Sequence, residues 1–592
     1  MASSAAAVAT PRTFPVILIA ALIQGSALYG LHLIVRDHFW TATDSAWLFG
    51  LYAAALFTPI TVQMLAEQVR DRILWSSVGA MCAAFFYFGW HYGAHGAQEV
   101  RNSAMLDNAL QQLIVPALLW LLALPFLQCR LVEGTWRPNY QTLFAAAWRN
   151  KLTLAEAGVF TGLFWMLLGL WAALFQMLDI DFFRKLFTKP IFIYPVTALV
   201  FGFALYMIGS LTRWVTVVLE QVLNVLKWLA VIAGLILALF TVALAAKLPS
   251  LVESGARAIA ASWLLWLTAV MVLFVNAAYR DGQVERPYPR WIGLFLRAVL
   301  PLLVIIVLTA SYAMYLRIDA YGLTVSRFWG CVVAAAACIY AAGYAFVAVR
   351  GTPWMAGIER INIGVALFLI AVIALMLTPV LSPYRLAANS QFQRVLRAPE
   401  AEVDDNRYYG QTNFEYLRFS SGSYGRARLA ELAEIENHPQ AEQIRRQARV
   451  ALASTERNFE RRHVDHRAHL AAMLIYPEAR TLEPELMDML IADLQPQIGG
   501  SNLWRTDIPL HGLYIDLNED GVEEFVLLTQ SEGLLYAHGG AHHWLKVGTL
   551  QGIGGAADLL AAIKAGDIKT VPPKWRELDV GSSRFLIRES NP

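Results

Sequence analysis

Long apolar runs fill about the first 380 residues, and they limit the possible folds more than any other feature of the chain. A helix needs about 20 apolar residues to cross a bilayer, because the hydrocarbon core offers no water to satisfy backbone hydrogen-bonding groups. Segments of this kind lie at 14–35, 46–66, 73–92, 109–131, 155–177, 191–211, 217–245, 259–279, 291–316, 326–349 and 361–381. The sequence therefore predicts an all-α polytopic membrane bundle of about 11 transmembrane helices.

The character of the chain changes near Leu381. Only 16% of all residues are charged, against about 25% in an average soluble protein, and the deficit comes from the part before Leu381. We therefore predict a transmembrane helical domain over 1–381 and a soluble extracytoplasmic α+β domain over 382–592. Within the soluble domain, the pattern predicts a helical part over 386–495 and a β-meander over 511–592.

The orientation of the spans follows from the loops between them. The first apolar run has no convincing cleavage site, which favours a retained span over a signal peptide. If the N-terminus is cytoplasmic, the inner loops hold more lysine and arginine than the outer loops, as the positive-inside rule requires. An odd number of spans then places the C-terminal domain outside the cytoplasm.

Charge and cysteine content argue against nucleic-acid binding and against a fold held together by disulfide bonds. The net charge of +2 gives no general case for binding nucleic acid. The four cysteines all lie in or beside apolar runs, so no disulfide framework is predicted. In the segment 132–153, basic and aromatic residues interleave beside the membrane, which predicts a helix that lies on anionic lipid headgroups. Membrane lipids are therefore a predicted partner.

A polar cluster is predicted at the outer face of the membrane. His91, His95 and Glu99 follow one another at intervals of four, so a continuous helix would place them on one face. Two histidines at this spacing can bind zinc, and the loop after the first span adds Asp37 and His38. Because glycines interrupt the segment, a solvated polar loop is the alternative to a metal site.

The soluble part begins with helical patterns and ends with strands. Residues 413–419 alternate as a short strand, and apolar residues at helical spacing predict helices over 424–435, 440–457 and 484–494. From residue 512 the period changes to two, which predicts strands over 513–515, 524–529, 533–537 and 543–547. A helix over 556–564 and a last strand pair over 575–578 and 585–587 complete the prediction.

A calcium-type loop lies between the first two strands of the meander. Its candidate oxygen ligands are Asp516, Asn518, Asp520, the carbonyl of Val522 and Glu524. An EF-hand requires a bidentate glutamate at position 12, but that position is Leu527. The alternative is a tight acidic turn without a metal. Calcium is the only cofactor that the sequence suggests.

The whole chain resembles an uncharacterised family of bacterial inner-membrane proteins of the DUF4153 type, a domain of unknown function. The resemblance rests on the many spans, the exit sequence 381–386, the segment 416–419 with 424–425, and the loop 516–524. That loop is also similar to the calcium loops of FG-GAP repeats. The resemblance implies an inner-membrane protein of Gram-negative bacteria. With the orientation predicted from the loop charges, the C-terminal domain would then be periplasmic. It implies no reaction, so no catalytic residue is assigned.

Three classes of function remain open. The leading hypothesis is a non-enzymatic membrane scaffold whose exported domain binds an envelope protein and is stabilised by calcium. The second is a membrane enzyme or transferase that acts on a lipid-linked envelope substrate at the outer-face cluster. The third is a transporter or channel, which is weakened by the scarcity of acidic residues inside the spans. The sequence carries no Gly-x-Ser-x-Gly elbow, phosphate-binding loop or paired-cysteine zinc motif.

Overall fold

The computed structural model describes most of the chain. The described residues are 12–37, 45–96, 104–254, 260–282, 287–350, 355–399, 412–454, 466–471, 473–477, 480–494, 511–528, 533–539, 544–550, 578–580 and 583–585.

The apolar part of the chain folds into a series of helices. They are α1 (Thr13–Arg36), α2 (Ser45–Met64), α3 (Arg72–His95), α4 (Ala104–Glu133), α5 (Tyr140–Gln176), α6 (Phe182–Phe187), α7 (Pro190–Ser210), α8 (Thr212–Ser254), α9 (Ala261–Tyr279), α10 (Arg290–Val299), α11 (Leu302–Tyr321), α12 (Val325–Arg350) and α13 (Ile358–Met376). A short 3-10 helix, Ala66–Gln68, links α2 to α3.

Eleven spans are long and apolar enough to cross a membrane among the described residues, with α10 and α11 counted as one span that Pro301 interrupts. Many large apolar side chains face outward from the bundle, including Ile19, Trp263 and Leu308. A water-exposed protein would bury such residues, whereas lipid tails solvate them. The predicted fold class, a polytopic helical bundle followed by a small mixed domain, is confirmed.

The segment 132–153 does not form a separate surface helix. Gly134, with a φ of +73°, lies just after the end of α4, and the Asn139 side chain caps the next helix by accepting a hydrogen bond from the Gln141 backbone at 3.1 Å. From there α5 runs without a break for 37 residues. The basic and aromatic residues of this segment are therefore mostly the first turns of a long helix that continues into the membrane span.

Small residues and a polar network hold the bundle together. A Cβ atom on Gly89 of α3 would collide with the Phe49 carbonyl of α2, so glycine allows these two helices to approach closely. At the other end of the bundle, the buried Tyr344 hydroxyl lies 2.9 Å from Oδ1 of both Asn276 and Asn362. The Asn362 amide also donates to the Tyr140 hydroxyl at 2.8 Å. Because the partners satisfy one another, these polar groups can be buried among four helices.

Four further helices cover one end of the bundle, and we call them the helical cap: α14 (Pro383–Arg397), α15 (Asn413–Phe419), α16 (Gly422–Ala433) and α17 (Ala441–Ala453). The Tyr416 hydroxyl accepts a hydrogen bond from the Val325 backbone at 2.8 Å, and Ser390 accepts one from Leu323 at 2.9 Å. Gln391 donates to the Leu323 carbonyl at 3.0 Å. The cap thus satisfies backbone groups in the turn between α11 and α12.

The strand predicted over 413–419 was wrong, because this segment is helix α15. Thr412 caps the helix by accepting a hydrogen bond from the Glu415 backbone at 3.2 Å. Residues 413–417 are all buried, so packing covers the segment on every side. Alternating apolar residues predict a strand only when one face is exposed, and here that condition fails.

The chain divides into two compact units at a different place from the predicted change at Leu381. The first unit comprises Met1–Asp405 and Gln411–Thr455, and the second comprises Asn406–Gly410 and Glu456–Pro592. The helical cap therefore groups with the membrane bundle rather than with the C-terminal strands. The hydrogen bonds from the cap to the turn between α11 and α12 account for this grouping.

The second unit contains a mixed sheet and two described helices. These elements are α18 (His466–Ala471), α19 (Pro484–Leu494), β1 (Leu474–Tyr476), β2 (His511–Ile515), β3 (Glu524–Leu528), β4 (Gly533–His538), β5 (Trp544–Leu550), β6 (Leu578–Val580) and β7 (Ser583–Phe585). The five-stranded sheet has the order β1-β2-β3-β4-β5. β1 pairs with β2 in parallel, and the other neighbours are antiparallel, as the predicted meander requires. The helix predicted over 556–564 lies outside the described residues.

Candidate functional site

The predicted histidine pair lies at the end of the bundle that the helical cap covers, which we call the cap face. Helix α3 continues as far as His95, so the glycine at position 93 does not interrupt it. The rings of His91 and His95 are 5.1 Å apart between centroids. The spacing in the sequence therefore predicted correctly that the two histidines share a helix face.

His95 contacts the cap rather than a metal site. Its Nδ1 atom lies 3.0 Å from the Ser423 hydroxyl, and its ring stacks on Tyr424 at 4.9 Å between centroids. Gly422 has a φ of +59°, and a Cβ atom there would collide with the His95 carbonyl oxygen. Only glycine allows the first turn of α16 to approach the end of α3 this closely.

His91 lines a pocket beneath the cap, which we call the cap-face pocket. The cavity has a volume of about 60 Å³. Its walls are mainly apolar and aromatic, and they include Phe49, Phe88, Tyr92, Leu113, Pro116, Trp329 and Tyr384. Two residues that line the pocket each carry a buried polar atom without a hydrogen-bond partner among the described residues: His91 at Nε2 and Ser382 at its hydroxyl. Since unpaired buried polar groups are costly, such atoms indicate a place where a ligand or a water molecule binds.

Asp37, another member of the predicted cluster, does not line this pocket. Asp37 is exposed and forms an ion pair with its neighbour Arg36 at 2.6 Å. His38 and Glu99 lie outside the described residues. Across the described part of the chain, no group of three or more His, Cys, Asp or Glu side chains is arranged to hold a metal ion.

Three residues at the cap face carry no site signal in the sequence pattern. Ser382 follows the last span, and Ser423 and Tyr424 lie in α16, far along the chain from the histidines they accompany. Burial raises the pKa of the Tyr424 phenol, although the nearby Arg385 acts in the opposite direction. The phenol is thus kept neutral beside His95. Only tertiary contacts reveal these residues, because no local spacing relates them to α3.

The calcium-type loop between β2 and β3 closes on its own backbone. The Asp516 carboxylate accepts hydrogen bonds from the backbone of Asp520 at 3.2 Å and of Gly521 at 2.9 Å. Gly521 has a φ of +82°, which permits the sharp turn. The buried Glu524 carboxylate accepts from the Leu517 backbone at 2.7 Å.

Two more predicted calcium ligands belong to the same turn. Asn518 Oδ1 accepts from the Asp520 backbone at 2.9 Å, and Asp520 Oδ1 accepts from the Val522 backbone at 2.8 Å. Carboxylate and amide oxygens keep further lone pairs when they accept a backbone hydrogen bond. Calcium binding by the five residues therefore stays a prediction.

Comparison with known proteins gives one match. A family model described as a domain of unknown function, DUF4153, matches residues 28–417. The matched region begins inside α1 and ends inside α15, so it includes the start of the helical cap. No curated protein and no solved structure matches the chain.

Proposed function

The chain belongs to the DUF4153 family of domains of unknown function, and we propose that this integral membrane protein is a scaffold that binds a protein of the cell envelope. The bundle anchors the protein, and the parts beyond the last span provide the binding surface. In this proposal the protein lies in the bacterial inner membrane, its N-terminus is cytoplasmic and its C-terminal unit is periplasmic.

The attachment of the helical cap is the observation that supports a scaffold best. Side chains of α14 and α15 satisfy backbone groups of Leu323 and Val325, and Gly422 fits against the end of α3. Breaking these contacts would leave buried donors unpaired, at a cost of about 1–3 kcal/mol for each. A transporter has to change conformation during its cycle. A cap that is hydrogen-bonded to the bundle in this way favours a rigid scaffold instead.

The C-terminal unit offers a binding surface of a suitable kind. Among the described strands, β5 has one neighbour in the sheet, β4, and its Leu545 and Val547 side chains are 50% and 56% exposed. An edge strand with apolar side chains can accept a strand from a partner protein. Calcium bound at the loop 516–524 would stabilise the β2–β3 hairpin of the same sheet.

Site-specific photo-crosslinking in cells tests the scaffold. A photoreactive amino acid replaces Leu545 or Val547 in the full chain, and the matched control replaces Val522, an exposed apolar residue in a loop of the same unit. We expect a discrete protein adduct from both strand positions and none from the loop position. Adducts that are absent, or equal at all three positions, would contradict the proposal.

A membrane enzyme that acts on a lipid-linked envelope substrate is the second candidate, and the cap-face pocket favours it. Nε2 of His91 can accept a proton, and the Ser382 hydroxyl can bind a polar substrate group between aromatic walls. If this candidate is right, His91→Asn and Ser382→Ala will each cause a lipid-linked intermediate to accumulate in cell extracts. Ser423→Ala, which changes a cap contact outside the pocket lining, serves as the control. An unchanged lipid profile in both pocket variants would exclude the enzyme.

A further inference from the structure

A second cavity lies at the opposite end of the bundle, where α1 begins, and we call it the N-face cavity. Its volume is about 90 Å³, and a single water molecule needs about 10–15 Å³ of such space. The polar residues that line it include Gln63, Glu67, Gln128, Arg149 and Asn150. The cavity therefore has room for a small polar group, and half of its lining is polar.

One residue that lines the N-face cavity, Gln63, carries a buried acceptor that the protein does not satisfy. Gln63 is only 4% exposed, and its amide nitrogen donates to Gln24 Oε1 at 3.0 Å. Gln24 in turn donates to the Leu56 carbonyl at 2.9 Å. This chain of hydrogen bonds fixes the Gln63 amide and leaves its Oε1 atom without a partner among the described residues. A ligand that donates a hydrogen bond would satisfy that oxygen.

Two further amides form a fixed polar surface on the cavity. Gln128 donates to Asn150 Oδ1 at 3.1 Å, and Asn150 donates to Gln128 Oε1 at 2.7 Å. Each amide nitrogen keeps one N–H, and each oxygen keeps one lone pair. Because the pair is reciprocal and buried, it is already oriented before a ligand arrives.

Opposite charges stand in the N-face cavity without an ion pair between them. The Arg149 guanidinium makes no hydrogen bond or ion pair with any residue that the structure describes. Its electrostatic interaction with Glu67 acts over a longer distance than an ion pair. Burial raises the pKa of the Glu67 carboxyl, and Arg149 acts in the opposite direction. A ligand that carries both a cation and an anion would neutralise both groups at once.

We propose that the N-face cavity binds a zwitterionic group in which a short chain joins a primary ammonium to a phosphate, as in the headgroup of an ethanolamine phospholipid. The ammonium donates to Gln63 Oε1 and Glu67, and the phosphate accepts a bidentate pair of hydrogen bonds from Arg149. This inference is independent of the scaffold role, because it concerns the other face of the bundle.

The position of the cavity suits a lipid headgroup. It lies where α1 and α8 begin and where α2, α4 and α7 end, which is the depth of the headgroups when these helices span a bilayer. The apolar residues Leu205, Ile208 and Val215 line one side of the cavity, where the glycerol and first acyl carbons can pack. Free phosphoethanolamine has the same two charges without this apolar part.

Native mass spectrometry of the full chain in detergent tests the proposal. Dissociation constants are measured for the first bound molecule of an ethanolamine, a choline and a glycerol phospholipid, and for free phosphoethanolamine. We expect the ethanolamine lipid to bind about tenfold more tightly than the other two lipids, because choline cannot donate hydrogen bonds and the glycerol headgroup has no cation. Binding of free phosphoethanolamine as tight as that of the lipid would assign the same chemistry to a soluble ligand.

Two variants connect this preference to the N-face cavity. Arg149→Gln should weaken binding of the ethanolamine lipid about tenfold, and Lys151→Gln, which removes the same charge from an exposed position of α5, should not. Glu67→Gln should reduce the preference for ethanolamine over choline, and it provides the test if Arg149→Gln does not fold. Equal affinity for the three lipids in the unmodified protein, or equal affinity of all variants, would refute the proposal.

Discussion

At the scale of single residues, Gly422 sets how closely the helical cap can approach α3. Its positive φ and its contact with the His95 carbonyl both exclude a side chain. The contact joins positions that are more than 300 residues apart, so no sequence pattern could relate them. By contrast, the shared face of His91 and His95 follows from helical spacing alone. Local geometry was predictable, and the partners of each side chain were not.

Replacing Gly422 should therefore loosen the cap. We expect Gly422→Ala to lower the free energy of unfolding by about 1–3 kcal/mol, because both the backbone strain and the collision have to be relieved. The measurement is thermal unfolding of the full chain in detergent. Gly364→Ala in α13, where a Cβ atom meets nothing within 4 Å, is the control and should be neutral or slightly stabilising. Equal melting temperatures for the two variants would show that the contact is not tight.

Asp516 is the residue on which calcium binding depends most, since it holds position 1 of the loop. We expect one calcium site in calorimetric titrations of the full chain, and we expect Asp516→Asn to abolish it because a ligand charge is lost. Glu519→Gln removes the same charge from a position outside the predicted ligand set and should retain the site. The full chain is used because a fragment that begins at Ser382 would separate the cap from the bundle. Identical titrations of the two variants would contradict calcium binding by Asp516.

At the scale of elements, the length of a helix determined whether the sequence could predict it. Spans of about 20 apolar residues are distinctive, so ten of the eleven matched an uninterrupted helix of the structure and the remaining one is divided by Pro301. Helix α15 has only seven residues, which is too short for a period of two to be distinguished from a buried helix. Its identity depends on Thr412 as a cap and on burial from all sides. The secondary structure of such a segment is determined by its neighbours.

The contact between α15 and α12 gives a local test of the cap. In Tyr416→Phe, the Val325 N–H loses its acceptor, so we expect its amide hydrogen to exchange with deuterium roughly tenfold faster, equivalent to about 1.4 kcal/mol. Tyr424→Phe removes a phenol from the adjacent cap helix and should leave exchange at Val325 unchanged. Exchange that is equally slow in both variants would mean that the hydrogen bond contributes nothing to holding the cap.

At the scale of the whole molecule, the sequence predicted the two kinds of structure, and the compact units divide at a different residue from the change in composition. Composition changes at Leu381 because lipid contact ends there. Packing continues to residue 455, because cap helices that are no longer apolar still satisfy the turn between α11 and α12. The family match likewise continues past the last span to residue 417. Hydropathy locates the end of the membrane, whereas hydrogen bonds locate the end of the folded unit.

An odd number of spans predicts that the two ends of the chain lie on opposite sides of the membrane. Alkaline phosphatase fused after Pro592 should be active, because that enzyme folds only in the periplasm. Green fluorescent protein fused at the same position should not fluoresce, because it does not fold after export in an unfolded state. A fusion after Gly134, in the loop between α4 and α5, should give the reverse pattern. Fluorescence after Pro592 would overturn the proposed orientation.

The contact between His95 and Ser423 also has a consequence for biosynthesis. The two residues are 328 positions apart, and a ribosome adds about 5–20 residues per second. Ser423 is therefore synthesised roughly 16–66 s after the end of α3. Until then the end of α3 lacks the cap contacts of His95 that the complete chain provides.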